Sequence, residues 1–546
     1  MNIIAISNHI GASRSSGGAE TAFVFTVQTD NAGTSAANQF TIPITSATPY
    51  DIQTSDGQSI TGATGATTLT FPSAGTYTVS ITDSCEGWRF NNVGDKLKLL
   101  NISSWGVYKN TASNSFFGAQ NMTCSAVDAP INAPTTMQGF FRDCQNFNGA
   151  IGNWDVSNVV DFAYCFYQCY AFTQDLDNWD TSSAVSFLSM FENAINFNGN
   201  VSTWNTSNAT NMRTMFIMWL GGPRPFNQNL NSWDTSNVTT MHGMFRNCIN
   251  YNQPLDNWNT SNVIDMFVMF GYCSIFNQPI GNWAVSNVAN MSQMFVSAVS
   301  FNQPLNTWNT VSVGNMSEMF LNTIFDQDIS SWNVSNVFDF QRFMRTRRVP
   351  YVNLDVSGWV FRSAGVNANG MFAYPAVAVY NTAFPTGIDT WTTTGMTDIG
   401  DMFVNSKLTG TLDISGWDVS SVTNMSYALH GLSNPVTMVS LSGWNTSNVT
   451  NMTDLFRFFN KASGSYGVEN WDVSSLSIVG SFLQAATPLT TAEYDALLVN
   501  WEAQAPSNAV TINFGVSTYT LGSASETART SLINTYGWTI TDGGGI

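Results

Sequence analysis

Apolar and polar positions alternate in two rhythms along this chain. From Ala22 to about Val93 the rhythm is every second residue, in "AFVFTVQT", "QFTIPI", "TLTFP" and "TYTVSIT", with Asp56-Gly57 and Ser73-Ala74-Gly75 between runs. A period of two punctuated by turn formers predicts short strands, and here a small β-sandwich over 22–93. Beyond it a longer unit takes over. "YNQPLDNWNTSNVIDMFVMF" (Tyr251–Phe270) and "FNQPIGNWAVSNVANMSQMF" (Phe276–Phe295) start 25 residues apart.

Tryptophan sets the register of that unit. Trp154, Trp179 and Trp204 are 25 apart, and Trp233, Trp258, Trp283 and Trp308 resume the period after one 29-residue step. Trp332, Trp359, Trp391, Trp417, Trp444 and Trp471 continue it at spacings of 24 to 32. A fixed period of this size predicts a solenoid. Within one unit, Leu255, Trp258 and Thr260 fit a short strand, with Asn257 and Asn259 on its other side. Val263, Met266, Met269 and Phe270 recur as one face of a short helix, which Ser261 or Asn262 is placed to cap. Pro254 precedes the strand, where its missing N–H costs least. The expected fold is therefore an α/β repeat solenoid of the leucine-rich-repeat type, with one short parallel strand and one short helix per coil. No coil can bury its own Trp, Met and Phe, so coils must stack. A residue that returns once per coil at an apolar phase is core, and the tryptophans are read so. Their indole N–H groups need partners, which nearby Asn and Ser side chains are expected to supply.

After Trp471 the pattern changes. "TTAEYDALLVNWEAQ" (Thr490–Gln504) reads as an amphipathic helix with Thr491 and Glu493 in its first turn, and "SETARTSLINTYGWTITDGG" as helix, Gly537 stop and strand. The expected organisation is a flexible polar arm over 1–21, the sandwich over 22–93, a solenoid of about thirteen coils plus an opening coil over 94–485, and a small α+β C-terminal cap over 486–546.

Over about Asp95–Leu483 the unit F-N-Q-P-L-x-N-W-[DN]-[VT]-S-N-V-x-x-M-x-x-M-F resembles the BspA-like leucine-rich-repeat family of bacterial and viral surface proteins, in a Trp/Met/Phe-rich variant. "GDKLKLLNISSWGVYKNTASNSFFG" (Gly94–Gly118) resembles the family's opening coil, with Trp105 in the tryptophan position. "PYDIQTSDGQSITG…FPSAGTYTVSIT" resembles the polycystic-kidney-disease-type immunoglobulin-like domain, with Thr54-Ser55-Asp56-Gly57 where that family has W-G-D-G. The solenoid resemblance implies a surface or adhesive role and brings no catalytic residues with it.

Composition narrows function further. Of 546 residues 43% are hydrophobic, ample for a core, and only 10% are charged, yet the net charge is -18. Such a balance repels phosphate backbones, so no nucleic-acid partner is expected. No run of about 18 apolar residues predicts a membrane span, and "MNIIAISNHIGASRSSGGAE" lacks the basic start of a secretory signal. Of the seven cysteines, Cys144, Cys165, Cys169, Cys248 and Cys273 take core positions of the repeat. Cys165 and Cys169 have no second Cys or His pair, so no metal and no cofactor is expected. His9, His242 and His430 each stand alone.

Candidate binding residues fall into two sets. One is a stripe of Asp or Asn directly after each tryptophan: Asp155, Asp180, Asn205, Asp234, Asn259, Asn309, Asn333, Asp418, Asn445 and Asp472, broken by Ala284 and Val360. It reads either as a solvated face or as a surface for a glycan, a basic protein or divalent cations, although one carboxylate per coil is too sparse for a calcium cage. The other set is irregular. "FIMWLGGPRPF" puts Trp219 and Leu220 where the repeat has no slot, "FQRFMRTRRVPYV" concentrates Arg342, Arg345, Arg347 and Arg348, and "MFAYPAVAVYNTAFP" (Met371–Pro385) is an apolar insertion. No phosphate loop or nucleophile elbow occurs. The sequence-level expectation is a non-enzymatic virion surface protein: a phage tail-fibre, head-fibre or decoration protein. It would be joined to other virion proteins through its N-terminal region, contact a host glycan or protein, and gain from forming a homo-oligomer. An exported bacterial adhesin is the alternative, and a carbohydrate-active depolymerase is the alternative of another class, since paired carboxylates leave no local signature.

Overall fold

The computed structural model describes residues 21–219, 221–345, 351–374, 382–506 and 509–546. The arm expected at the N-terminus lies outside them up to residue 20. The chain divides into two compact units, one ending at Val159 and the other beginning at Val160.

The first unit contains β1 (Phe23–Gln28), β2 (Gln39–Ile42), β3 (Tyr50–Thr54), β4 (Ser59–Ala63), β5 (Thr67–Thr70), β6 (Thr76–Thr82), β7 (Cys85–Glu86), β8 (Leu99–Ser104), β9 (Tyr108–Lys109) and β10 (Thr123–Cys124). Six of these make one sheet in the order β10-β8-β1-β6-β3-β4, and β2 with β5 makes a separate ladder. The region read as a sandwich thus supplies four strands of the six-stranded sheet, β1, β6, β3 and β4, and the β2–β5 ladder. The period of two is real: Phe23, Phe25 and Val27 of β1 are fully buried. Phe23 and Phe25 meet the Trp88 ring edge-on at 5.3 and 5.1 Å. β8, in the segment read as the opening coil, pairs antiparallel with β1 and parallel with β10. Asp95 ties the loops to this frame, accepting from the backbone N–H of Thr34, Ser35 and Thr41 at 2.7 to 3.0 Å. The buried Lys98 ammonium donates to the carbonyls of Ser35, Ala36 and Gln39.

The second unit is a β-solenoid and not the expected α/β coil; the described residues form about 17 turns in all. Neither repeat element forms as predicted. In the stretch read as a strand, Trp258 N–H bonds back to Leu255 O at 3.2 Å, a tight turn. The inter-coil ladder runs instead through one residue per coil further on, from Asp161 through Ser186, Asn211, Thr240, Asp265, Asn290 and Asn315 to Asp339, all parallel.

The stretch read as a helix is a pair of turns. Met269 and Cys273 donate to Met266 O and Phe270 O, three residues back. Met266, Val268, Phe270 and Tyr272 donate across to Asn290, Ser292, Met294 and Val296 of the next coil. Val268 and Tyr272 sit at φ +51° and +64°, in the left-handed region that breaks any helix. Burial at Met266, Met269, Phe270 and Cys273 nevertheless keeps the spacing of a helical face. The next coil satisfies every second amide, so a short helix with its costly nucleus gains nothing.

Aromatic side chains fill the interior in rows. Phe245, Phe270, Phe295 and Phe320 stack at 5.6, 5.9 and 5.6 Å with planes within 7°. Trp258 and Trp283 stack at 6.2 Å, Trp204 and Trp233 at 6.0 Å. These separations exceed the roughly 4.8 Å between paired strands, so the rings are offset as the aromatic quadrupole prefers.

At the C-terminal end two α-helices form, the only ones among the described residues: α1 (Thr491–Glu502) and α2 (Ala524–Asn534). Thr491 and Glu493 lie in the first turn as read, and Thr490 before them makes a full capping box with Glu493. Strand Thr511–Asn513 pairs parallel with Thr539–Thr541.

Candidate binding surface

Every tryptophan assigned to the core is at most 5% exposed. The indole partners differ from the expectation. Trp204, Trp233, Trp258, Trp283, Trp308, Trp332, Trp417, Trp444 and Trp471 donate to backbone carbonyls about one coil back, at 2.8 to 3.1 Å. Asn and Ser do not serve them, because those side chains are engaged elsewhere.

They form further ladders between coils. Asn252 Oδ1 accepts from Asn277 N–H, Asn277 Oδ1 from Asn302 N–H, and Asn302 Oδ1 from Asp326 N–H, each at 2.9 Å. Asn262 donates to Ser236 O and Asn287 to Ser261 O. The Thr235 and Thr260 hydroxyls donate to Asn259 O and Ala284 O.

The Asp/Asn stripe is exposed or half-buried, and it too has a structural task. In Asp155, Asp180, Asn205, Asp234, Asn259, Asn309, Asn333, Asp418, Asn445 and Asp472, Oδ1 accepts from the backbone N–H two residues on, at 2.9 to 3.3 Å. This is the Asx turn, which Asp and Asn make equally well. Hydrogen bonding from Ser182, Ser236 and Ser420 holds the Asp180, Asp234 and Asp418 carboxyls below the usual range.

Sequence reasoning missed a second Asx row on the ladder itself, including Asp161, Asn211, Asp265, Asn290, Asn315 and Asp339. Its signal was the Asp or Asn directly before the first Met or Phe of each coil. His242 Nδ1 lies 3.1 Å from Asp265 Oδ2 in this row, with its ring against Phe267. The half-buried His430, which burial holds below its ordinary pKa, faces Tyr427 and Phe458. No group of three or more His, Cys, Asp or Glu able to hold a metal occurs among the described residues, and no helix there is long and apolar enough to cross a membrane.

Of the irregular candidates, Leu220, Arg347, Arg348 and residues 375–381 of the apolar insertion lie outside the described residues. Arg345 stands near Asp401, whose carboxyl burial raises while the Arg345 charge opposes that rise. Arg342 pairs with Glu318 at 3.3 Å. Trp219 is 49% exposed and held at both ends: its backbone N–H donates to Asn193 Oδ1 and its indole N–H to Glu192 Oε1 at 2.9 Å. The Arg246 guanidinium lies 4.1 Å from the centre of the Trp219 ring system and 5.6 Å from the Tyr272 ring. The insertion alone signalled Trp219; Arg246 and Tyr272 occupy ordinary repeat positions, and only stacking shows that they converge on it.

Solenoid coils lined by Trp, Met and Phe, tied by Asx turns, place the protein among BspA-like repeat proteins. The chain belongs to the family described as "Mycoplasma protein of unknown function, DUF285", which matches residues 110–220, 220–324, 280–379 and 375–496. No curated protein and no solved structure matches it.

Proposed function

We propose that the protein is a non-enzymatic recognition protein displayed on a surface, most simply that of a phage particle as a tail-fibre, head-fibre or decoration protein. The observation that carries this reading is the use made of the repeated polar side chains. Asn, Thr and Asp in each coil are consumed in hydrogen bonds that hold a turn or the next coil, which leaves chemistry to irregular surface positions. A frame of this kind presents contacts at fixed intervals, and many weak contacts summed over a particle give strong attachment. Six cysteines are buried and Cys124 is half-buried, and Cys85, Cys124, Cys248 and Cys273 are thiols outside any disulfide. Cohesion therefore needs no oxidising compartment, which favours assembly inside a cell followed by lysis over export and oxidation. The N-terminal sheet, read as immunoglobulin-like, would serve as the attachment module to other virion proteins.

A mass-spectrometric inventory of purified particles tests the placement. Recovery at stoichiometric copy number supports it, whereas recovery only from the secreted or cell-envelope fraction rejects it for the adhesin. Incubation with bound glycans and a reducing-end assay tests the non-enzymatic part, since released sugar would reject it for the depolymerase.

A further inference from the structure

We infer that Trp219, Arg246 and Tyr272 form a site for a carboxylate-bearing sugar of an acidic polysaccharide. The inference rests on the recognition role proposed above and supplies the ligand class for it.

Three successive coils bring these side chains together. Trp219 and Tyr272 remain 49% and 40% exposed with Arg246 between them. Three other arginines of this unit pair with carboxylates: Arg342 with Glu318, Arg457 with Asp454 and Arg529 with Asp542. Among the described residues no carboxylate lies within ion-pair distance of Arg246, and its Nε is buried without a hydrogen-bond partner. Its planar fork matches a carboxylate.

Tyr272 sits at φ +64°, in a row shared with Asn193, Asn247, Ser297, Asn322 and Phe458 at +56° to +64°. In this coil the row places a ring beside Arg246.

Size and surroundings choose the ligand. Trp219 and Tyr272 stand two coils apart, about 10 Å by the interstrand spacing, the reach of one or two sugar rings. The neighbouring Asn193, Asn247 and Ser297 are polar, and the Glu192 carboxylate that accepts from the Trp219 indole borders the patch, so it lacks the apolar core of a protein interface, which takes about 800 Å² per partner. Sugar rings offer C–H faces to exposed aromatic rings, and the carboxylate meets the guanidinium. The acidity of the chain disfavours densely charged polyanions, so one carboxylate per contact suits the site.

The full chain is tested on an array of uronate- and sialate-bearing oligosaccharides, with their methyl esters and hexaglutamate alongside. The expected result is retention of at least one acidic sugar, loss of at least tenfold in affinity in Arg246→Gln and Trp219→Ala, a smaller loss in Arg246→Lys, and no binding of the ester. Trp219 is exposed and Arg246 half-buried, and an unchanged thermal melt shows that each variant is folded. Binding by no acidic sugar, equal binding of the ester, equal binding by Arg246→Gln, or tighter binding of hexaglutamate overturns the assignment. The particle inventory does not depend on this patch, so failure of either proposal is visible separately.

Discussion

The indole nitrogen of Trp283 donates to the carbonyl oxygen of Leu255, 3.0 Å away and one coil earlier. A single contact thus joins the buried ring that anchors one coil to the backbone of another, and the same relation recurs along the second unit. Trp283→Ala should cost about 3–5 kcal/mol, the range for truncating a buried aromatic. Trp283→Phe keeps most of the burial and should cost less, mainly for the orphaned carbonyl of Leu255. In a repeat array such damage is local, so hydrogen–deuterium exchange should show protection lost in the coils around residues 255–310 before the remainder. Uniform loss across the unit would contradict nearest-neighbour cohesion.

The Asp/Asn stripe separates turn-making from ligand binding by substitution. Asp234→Asn keeps the acceptor for Ser236 N–H, as Asn205 and Asn259 do naturally, and should stay within about 0.5 kcal/mol of the parent. Asp234→Ala removes it and should cost about 0.5–1.5 kcal/mol. Added calcium should leave the melting temperature unchanged, since a bound ion would raise it. Binding lost in Asp234→Asn with stability intact would make the stripe a ligand surface instead.

Acid should loosen the first unit through Asp95. Burial pushes this carboxyl up, but hydrogen bonds from Ser35 and Thr41 and the charge of Lys98 outweigh it, and its pKa lies below the ordinary value. The stability this contributes is complete above the unfolded pKa of about 4 and is lost as pH falls through and below it. Asp95→Asn should therefore destabilise β2 and the loop before it at pH 6 while weakening their pH dependence below 4. Urea unfolding followed by exchange of peptides covering residues 34–42 checks both effects.

Thiol chemistry should be silent in the native state. Burial raises the Cys273 thiol well above its ordinary value, with Cys248 beside it adding to the effect, and raises Cys248 likewise. Burial also pushes the less enclosed Cys124 up to about 11. Iodoacetamide at pH 8 should leave all three unlabelled until urea is added, because the thiolate is the reactive form.

The repeat, its register and its buried residues were all legible in the tryptophan spacing. The local backbone was not. Met266, Met269, Phe270 and Cys273 have the spacing of a helical face, and that spacing is equally produced by consecutive turns whose intervening residues adopt positive φ. Asn193, Asn247, Ser297 and Asn322 were the available warning, since Asn and Ser recur where a helix would take Ala, Leu or Lys. The ladder at Asp265 escaped notice because a single bridging residue per coil has no alternation to detect. For the candidate site, Trp219 was visible as an insertion out of register. Arg246 and Tyr272 were not, because their meeting depends on which rows of successive coils superimpose.

The amides of Val268, Phe270 and Tyr272, each bonded to the following coil, set how the second unit answers mechanical load. Tension applied along the stacking direction falls on one seam of parallel bonds at a time, so coils should detach singly, each at modest force. A tether built this way dissipates a sudden tug in many small extensions, and relaxes by reseating each coil on the one still in place.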